Sequence, residues 1–300
     1  MPLNRRQTLC LGSAALAACH PLAALAQAAG PQLVTSFSIL ADMAQELVPP
    51  NVQVTTLVGA NADAHVYQPS PADAKRLAQA DLVVINGLAF EGWIERMIKV
   101  SGYRGSVVVA SQGIQPRAGG HHHGADPHAW QDLALARRYA INLSTAFAQR
   151  WPEQRDEITR RGVDYLARID ALDRQVREWL GAVPRAQRRV ITSHDAFGYF
   201  GAAYGVDFLA AQGWNTHSEP SAAAVARLIR QIKKEGVRAL FIENISDPRL
   251  IERIAREAGA TVGGTLYSDA LSPPGTRADT YLKLMAHNAD TLLAALTAGR

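Results

Sequence analysis

Cysteine is scarce in this chain of 300 residues, which contains only Cys10 and Cys19. Both lie near the N-terminus, so the rest of the chain can form no disulfide and offers a metal no thiolate ligand. A metal site there must be built from histidine, aspartate and glutamate. Strong charge is also absent, because the formal net charge is only +4. Its basic residues are scattered and form no stripe, which argues against a nucleic acid partner.

The first 26 residues have the pattern of an export signal. The basic start MPLNRRQ precedes the small and apolar run TLCLGSAALAACHPLAALA, and Ala24-Leu25-Ala26 fits an A-x-A cleavage site. The pair Arg5-Arg6 before a weakly hydrophobic run is typical of a twin-arginine signal. Residues 16–19 also match a bacterial lipobox. Two hypotheses therefore stay open: a soluble periplasmic protein cleaved after Ala26, and a lipoprotein anchored through Cys19.

Short β-branched runs alternate with helical patterns in both halves of the chain. Strands are predicted at 32–36, 52–58, 81–86 and 106–110, then at 189–193, 206–210, 237–242 and 260–266. Helical patterns occupy 38–48, 71–80 and 91–100, then 195–204, 221–235, 248–258 and 278–298. Strands that alternate with helices imply parallel βαβ units. The predicted class is α/β, with two lobes that each hold a four-stranded parallel sheet.

The segment 152–183 between the two halves has no strand signal. Its apolar residues recur at helical spacing: Ile158, Tyr165, Ile169, Leu172, Val176 and Trp179. Pro152 suits a first turn, and Gly181 with Pro184 suits an end. At about 1.5 Å per residue such a helix is roughly 40 Å long, which makes it a stiff connector. An ordinary long surface helix of one domain is the alternative. The predicted organisation is an export signal at 1–26, an N-terminal lobe at 27–151, the connecting helix at 152–183 and a C-terminal lobe at 184–300.

Four metal-capable side chains, two from each half, follow predicted strands or begin a helix: His65, His128, His194 and Asp269. In open parallel α/β sheets, ligands bind beyond the carboxyl ends of the strands. The four side chains can therefore converge if the lobes face each other. Three imidazoles and one carboxylate form a tetrahedral set that suits zinc, whereas manganese favours more oxygen ligands.

Several carboxylates near these residues are candidates for supporting them. Ligand imidazoles usually donate their second N–H to a carboxylate or carbonyl. The candidates for this role are Asp63, Asp195 and Glu243, and the sequence does not choose among them. Asp126 is predicted to cap a helix that begins at Pro127, which would fix the approach of His128.

Four segments carry a resemblance to a known family. DAHVYQPSPAD, DPHAWQD, SHDAFGYFGAAYGV and LYSDALS follow one another in a chain that matches over about 32–298. Together they resemble the metal-binding receptors of bacterial zinc and manganese ABC importers, the cluster A-I solute-binding proteins that include ZnuA and AztC. The resemblance implies two lobes, a rigid connecting helix and one metal ion held by His65, His128, His194 and Asp269. Manganese-type members carry glutamate at the position of His194, so histidine there favours zinc.

The tract GGHHHG (119–124) adds a second group of histidines, His121, His122 and His123. Its glycines leave the tract too flexible to hold one geometry. We expect it to capture a second, more weakly bound zinc or to transfer zinc to or from the cleft. A solvated loop without such a role is the alternative.

The expected function is extracytoplasmic, high-affinity capture of one Zn²⁺ per chain. The expected partner is the membrane permease of a zinc ABC importer, and a periplasmic zinc chaperone is a further candidate. The chain is expected to act as a monomer and not as an enzyme. A manganese or iron receptor of the same family is the first alternative. A zinc-dependent hydrolase is the second, although the chain lacks an HExxH motif.

Overall fold

The computed structural model describes residues 30–117, 125–213, 216–217, 219–237 and 239–298. The predicted export signal at 1–26 and the histidine-rich tract at 119–124 lie outside these residues. None of the helices described combines the length and the apolar character needed to cross a bilayer.

The N-terminal half forms a four-stranded parallel sheet. Its strands are β1 (Gln32–Phe37), β2 (Gln53–Val58), β3 (Leu82–Ile85) and β4 (Val107–Val109), and they lie in the order β2-β1-β3-β4. The helices α1 (Ser38–Leu47), α2 (Pro71–Ala78) and α3 (Ile94–Ser101) connect them. Ser70 and Asp73 form a capping box at the start of α2, which explains why that short helix begins at Pro71.

A further helix, α4 (Leu133–Arg150), was missing from the predicted helices. It follows a short 3-10 turn at Ala129–Gln131, and the side chain of Asp132 caps its first turn. The helix buries residues at helical spacing, namely Leu133, Ala136, Tyr139, Ala140, Leu143 and Phe147. The signal for it was therefore present in the sequence.

The C-terminal half repeats the same topology. Its strands are β5 (Arg189–Thr192), β6 (Asp207–Ala210), β7 (Ala239–Glu243) and β8 (Thr261–Leu266), in the order β6-β5-β7-β8. Its helices are α6 (Gly198–Tyr204), α7 (Ala222–Glu235), α8 (Pro248–Ala258) and α9 (Tyr281–Thr297). In both sheets the chain reverses its direction of winding beside the first strand, which creates a crevice at the carboxyl ends of the strands. The predicted fold class is confirmed.

The long helix between the two sheets is α5 (Arg155–Gly181). It begins later than predicted, because Pro152–Gln154 form a separate 3-10 turn. Five residues of the predicted stripe are buried, but Trp179 is half-buried and Leu180 is buried in its place. Gly181 is the last helical residue, and the cap at Ala182 keeps right-handed backbone angles, so no glycine cap ends this helix.

One hydrophobic core runs through both halves. It includes Leu33 of β1, Ile169 of α5 and Tyr281 of α9, because α5 packs against α1 and α4 of the N-terminal half and against α6 and α9 of the C-terminal half. A second core, which includes Ile191 and Leu240, lies under α7 and α8 on the opposite face of the C-terminal sheet. A wide rotation of the lobes would expose part of the shared core. The domain boundaries at 151 and 184 stay predictions.

Candidate metal centre

The structure brings together the four side chains that the sequence analysis selected. His65 follows β2, His128 precedes the 3-10 turn, His194 follows β5 and Asp269 follows β8. One potential ligand atom from each residue lies within 4.8 Å of those of the other three, and all four residues are buried. The crevice at the carboxyl ends of the parallel strands therefore contains three imidazoles and one carboxylate.

The carboxylate of Asp269 lies among the three imidazole rings. Its Oδ2 atom is 3.2 Å from Nε2 of His65 and 3.2 Å from Nε2 of His194. Its Oδ1 atom is 3.6 Å from Nε2 of His128. The Nε2 atoms of His65 and His128 are 3.3 Å apart. All three rings thus present the same nitrogen to one small volume beside the carboxylate.

The donor atoms of this cluster fit a cation. Within the described residues, no hydrogen bond of acceptable geometry reaches either oxygen of Asp269 or Nε2 of His194, although Oδ2 of Asp269 lies 3.2 Å from Nε2 of both His65 and His194. Burial of an ionised carboxylate is costly unless it is paired or bound to a metal. A divalent cation at this position would satisfy the orphaned oxygens and the imidazole nitrogen together.

Two buried carboxylates orient two of the rings from behind. Glu243, at the end of β7, has Oε2 2.6 Å from Nδ1 of His194. Its Oε1 atom accepts the backbone N–H of His194 at 2.8 Å. Oδ1 of Asp126 lies 2.8 Å from Nδ1 of His128 and accepts the backbone N–H of that residue at 3.0 Å. A proton held at each Nδ1 by a carboxylate leaves Nε2 free to bind a metal.

The expectation that Asp126 caps a helix beginning at Pro127 is wrong. The 3-10 turn begins at Ala129, and the cap of α4 is Asp132, whose Oδ1 accepts the N–H of Ala134 at 2.9 Å. Asp126 instead closes a turn onto the N–H of residue 128, a local bond that aspartate side chains commonly make. The orientation of His128 is still fixed by Asp126, but through contacts with its backbone N–H and its ring and not through a helix cap.

The three candidate supporting carboxylates differ in what they contact. Glu243 contacts the ring of a candidate ligand, as described above. Asp63 accepts the backbone N–H of His65 at 2.8 Å and the hydroxyl hydrogen of Thr216, so it holds the main chain of that loop. Asp195 donates its backbone N–H to the carbonyl of Gly213 at 3.1 Å.

Aromatic side chains that the sequence analysis did not select form one wall of the site. The ring of Phe90 lies 4.7 Å from that of His65, and the ring of Trp130 lies 5.2 Å from that of His128. Phe90 follows Leu88 and Ala89, whose φ angles of 54° and 60° are left-handed and strained for residues with side chains. Trp130 stands in the DPHAWQD segment, so that motif contained a signal for it. No comparable signal marks Phe90.

Trp130 and its neighbour Gln131, in the N-terminal half of the chain, also fix the loop that holds Asp269. Nε1 of Trp130 donates to the carbonyl of Ser268 at 3.0 Å, and Nε2 of Gln131 donates to the same oxygen at 2.7 Å. Both bonds cross between the two halves of the chain. The position of the carboxylate is therefore set by groups from the opposite lobe.

Burial and charge oppose each other throughout the cluster. Burial lowers the pKa of His65, although Asp269 acts against it. Burial would also lower the pKa of His194, but Glu243 and Asp269 outweigh it and hold that pKa well above the usual 6.5. Burial would raise the pKa of Asp269, but His128 and His194 hold it well below its usual range. A proton on His194 therefore competes with a metal for the site at neutral pH.

Two other described histidines do not belong to the cluster. His217 precedes α7 and is outside the group of metal-capable side chains. His287 lies on α9, where its Nε2 atom is 3.0 Å from the carbonyl oxygen of Thr265.

The chain is similar to metal-binding proteins along most of its length. A family model described as zinc-uptake complex component A, periplasmic (ZnuA) matches residues 33–295. The zinc-binding protein TroA of Treponema pallidum (strain Nichols) is 33% identical over 273 residues, which are 89% of either chain. The iron-binding protein YfeA of Yersinia pestis is 31% identical over 264 residues, 87% of this chain and 85% of that one. The manganese-binding lipoprotein MntA of Bacillus subtilis (strain 168) is 30% identical over 273 residues, 88% of this chain and 89% of its own.

A solved structure agrees with this assignment of the fold. The periplasmic zinc-binding protein TroA from Treponema pallidum superposes with a TM-score of 0.85 at 31% identity. The superposition covers 89% of this chain and 99% of that one.

Proposed function

The chain belongs to the ZnuA family of periplasmic zinc-uptake components, and from that membership we propose that it captures Zn²⁺ outside the cytoplasm and delivers it to the permease of an ABC importer. The observation that carries the proposal is the buried cluster of His65, His128, His194 and Asp269, with all candidate ligand atoms within 4.8 Å. These four side chains are the proposed ligands of one zinc ion per chain.

The spacing of the candidate ligand atoms supports zinc. Bonds of about 2.0–2.1 Å to zinc, arranged as a tetrahedron, place the ligand atoms about 3.3 Å apart. Three separations agree with that value: Oδ2 of Asp269 lies 3.2 Å from Nε2 of His65 and of His194, and Nε2 of His65 lies 3.3 Å from Nε2 of His128. The other oxygen of Asp269, Oδ1, is the one that lies 3.6 Å from Nε2 of His128. Three imidazoles and a single carboxylate also provide fewer oxygen ligands than manganese prefers.

A closed set of four protein ligands suits transport better than catalysis. It leaves no open position for the reactive water that a zinc hydrolase needs. Receptors of ABC importers transfer their cargo unchanged, so the protein has to hold the ion and release it at the membrane. The core shared by both lobes favours release by local movement of loops over a wide hinge motion.

We propose that the chain acts as a monomer in the periplasm and is exported by the signal at 1–26. A lipoprotein anchored through Cys19 stays the alternative. A membrane permease is the proposed partner, and a periplasmic zinc chaperone is a candidate donor. The tract at His121, His122 and His123 is proposed to bind a second, weaker zinc. Replacing all three with alanine should then remove the weak event and leave the tight one.

The test is a titration of metal-stripped protein with Zn²⁺, Mn²⁺ and Fe²⁺ in parallel, with His194→Ala beside the wild type. We expect one tight zinc per chain, much weaker manganese and iron, and loss of the tight event in the variant. Turnover of esters and phosphoesters is measured with the same zinc-loaded sample. Turnover that is lost in His194→Ala would indicate a hydrolase instead of a receptor.

A manganese or iron receptor is the second candidate function. It is favoured by the names of two relatives, the manganese-binding MntA and the iron-binding YfeA. Manganese or iron that binds as tightly as zinc in the same titration would replace the zinc assignment. An unaffected His194→Ala variant would mean that the proposed ligand set is incorrect.

A further inference from the structure

The outer face of the C-terminal lobe carries two parallel stripes of basic side chains, so the expectation that the basic residues form no stripe is wrong for α7 and α8. On α7, Arg227, Arg230 and Lys234 recur at spacings of three and four residues, opposite the side that the helix buries. On α8, the same pattern places Arg249, Arg253 and Arg256 opposite its buried side. All six are exposed. Because α7 and α8 contact each other over the second hydrophobic core, the two stripes lie on one face of the molecule.

This basic face, defined by the six residues above together with Lys233, is only partly neutralised. Arg249 pairs with Asp247, and Nε of Arg253 lies 2.7 Å from Oε1 of Glu257. Within the described residues, no ion pair involves the four basic residues of α7 or Arg256. The carboxylate of Glu235 at the end of α7 lies 3.1 Å from Nη1 of Arg189, so it is engaged elsewhere. Five exposed cations of this face therefore have no ion-pair partner among the residues that the structure describes.

The long helix α5 of the same protein is organised differently. There Arg160 pairs with Asp164 at 3.4 Å and Arg177 pairs with Asp173 at 2.9 Å, each at a spacing of four residues. On α7, Arg230 and Lys234 occupy the same spacing with charges of one sign, which destabilises an isolated helix slightly. A negatively charged partner would relieve this repulsion.

We propose that the basic face binds the anionic surface of a lipid bilayer. Protein partners usually require a desolvated centre of aromatic or aliphatic residues. Among the described residues, the large exposed apolar side chains are Val66, Val100, Val107, Val163 and Val262, and none of them lies on α7 or α8. A basic face without an apolar centre suits the diffuse negative charge of lipid headgroups, where each Lys or Arg near the surface strengthens partitioning about fivefold.

This inference goes beyond the proposed function and does not depend on which metal the cluster holds. Binding to lipid would confine the diffusion of the receptor to the surface of the bilayer. A receptor held weakly at the bilayer by α7 and α8 meets membrane proteins more often than one free in solution. The candidate metal centre, at the carboxyl ends of the strands, is not part of the basic face.

The experiment measures binding to vesicles by co-sedimentation. All protein forms carry Cys19→Ser, which prevents a lipid anchor, and are recovered from the extracytoplasmic fraction. One form reverses the α7 stripe by Arg227→Glu, Arg230→Glu and Lys234→Glu. The matched control, Arg96→Glu, Arg138→Glu and Arg174→Glu, changes the net charge equally at exposed positions on α3, α4 and α5. Zinc stoichiometry and thermal unfolding verify that each form is folded.

We expect the wild type to bind phosphatidylglycerol vesicles at 50 mM salt, to release them at high salt, and to ignore phosphatidylcholine. The release follows from screening, because the Debye length shortens to about 3 Å at 1 M salt. The α7 form should bind at least about tenfold more weakly, while the control form should stay within about twofold of the wild type. Equal weakening of both forms would overturn the proposal, because net charge and not this face would then decide. Absence of wild-type binding would overturn it too, and so would tighter binding to polyglutamate than to vesicles of equal charge.

Discussion

Replacement of Glu243 by glutamine removes the carboxylate that orients His194, and we expect it to weaken zinc binding at pH 8 by about 10- to 100-fold. One oxygen of Glu243 is 2.6 Å from Nδ1 of His194 and the other accepts the backbone N–H of the same residue at 2.8 Å. Glutamine keeps the size but replaces one of these acceptors with an NH₂ donor. Either the ring or the main chain of His194 then faces a donor and loses its fixed position.

The expected loss depends on pH in a direction that follows from the charges. In the metal-free protein, Glu243 and Asp269 outweigh burial and hold the pKa of His194 well above 6.5, so the ring is protonated at neutral pH. Zinc has to displace that proton, and wild-type affinity falls about tenfold for each pH unit below this pKa. Glutamine carries no charge, so the pKa of His194 falls and proton competition weakens in the variant. The gap between wild type and variant should therefore widen as pH rises from 6 to 9.

The assay is competition with a chromophoric chelator at four pH values between 6 and 9. Calorimetry in buffers of different ionisation enthalpy counts the protons released, and the wild type should release more at pH 7 than the variant does. Glu235→Gln, a carboxylate of the same lobe that pairs with Arg189 at 3.1 Å, serves as the control and should bind zinc as the wild type does. A gap that is constant with pH, or one that grows as pH falls, would refute the assigned role of Glu243.

Three further changes test other parts of the structure. Asp269→Asn keeps the shape but removes the only carboxylate among the proposed ligands, so equilibrium dialysis should show zinc affinity lowered at least about 100-fold; an unchanged affinity would exclude Asp269 as a ligand. Ile169→Ala removes a fully buried side chain of α5 and should lower the free energy of unfolding in urea by about 3 kcal/mol, whereas Arg174→Ala on the exposed side should change it by less than about 0.5 kcal/mol. Burial raises the pKa of Asp42 from 3.8 to about 7, so its ionisation destabilises the fold progressively between those values. At pH 8, the free energy of unfolding of Asp42→Asn should therefore exceed that of the wild type by about 2 kcal/mol. This is roughly half of what the full pKa difference would give, because the side chain keeps some solvent contact. At pH 3.5 the two proteins should be equally stable, and a difference that persists there would contradict this account.

The positions of strands and helices were predicted well because local patterns specify them. The runs QLVTS and RVITS became β1 and β5 with boundaries shifted by one residue. The helical stripe from Ile158 to Val176 became the buried side of α5. Failures occurred where a local signal was overlooked or misjudged, as with α4 and with Asp126. A short polar side chain can bond to several nearby backbone groups, and the sequence does not show which bond forms.

The organisation of the site was predicted only in part. Strand ends selected His65, His194 and Asp269, because loops at the carboxyl ends of parallel strands share one crevice. The partner of each ring was not predictable. Asp63, Asp195 and Glu243 were equal candidates, and the register of β7 beside β5 places Glu243 against the ring of His194. A left-handed turn directly before Phe90 positions its ring against His65, and no sequence pattern predicted that turn.

The sequence by itself therefore determined the α/β class, the two halves, the connecting helix, and the residue types available to a metal once cysteine was confined to the first 26 positions. These features depend on periodicity and composition, which a linear chain displays directly. The tertiary structure alone decided that ligand atoms of four residues between positions 65 and 269 lie within 4.8 Å of one another, that buried carboxylates hold two of the rings, and that α7 and α8 present their basic stripes on one face. Distances between residues remote in the chain follow from how sheets and helices pack, and packing is a property of the whole fold.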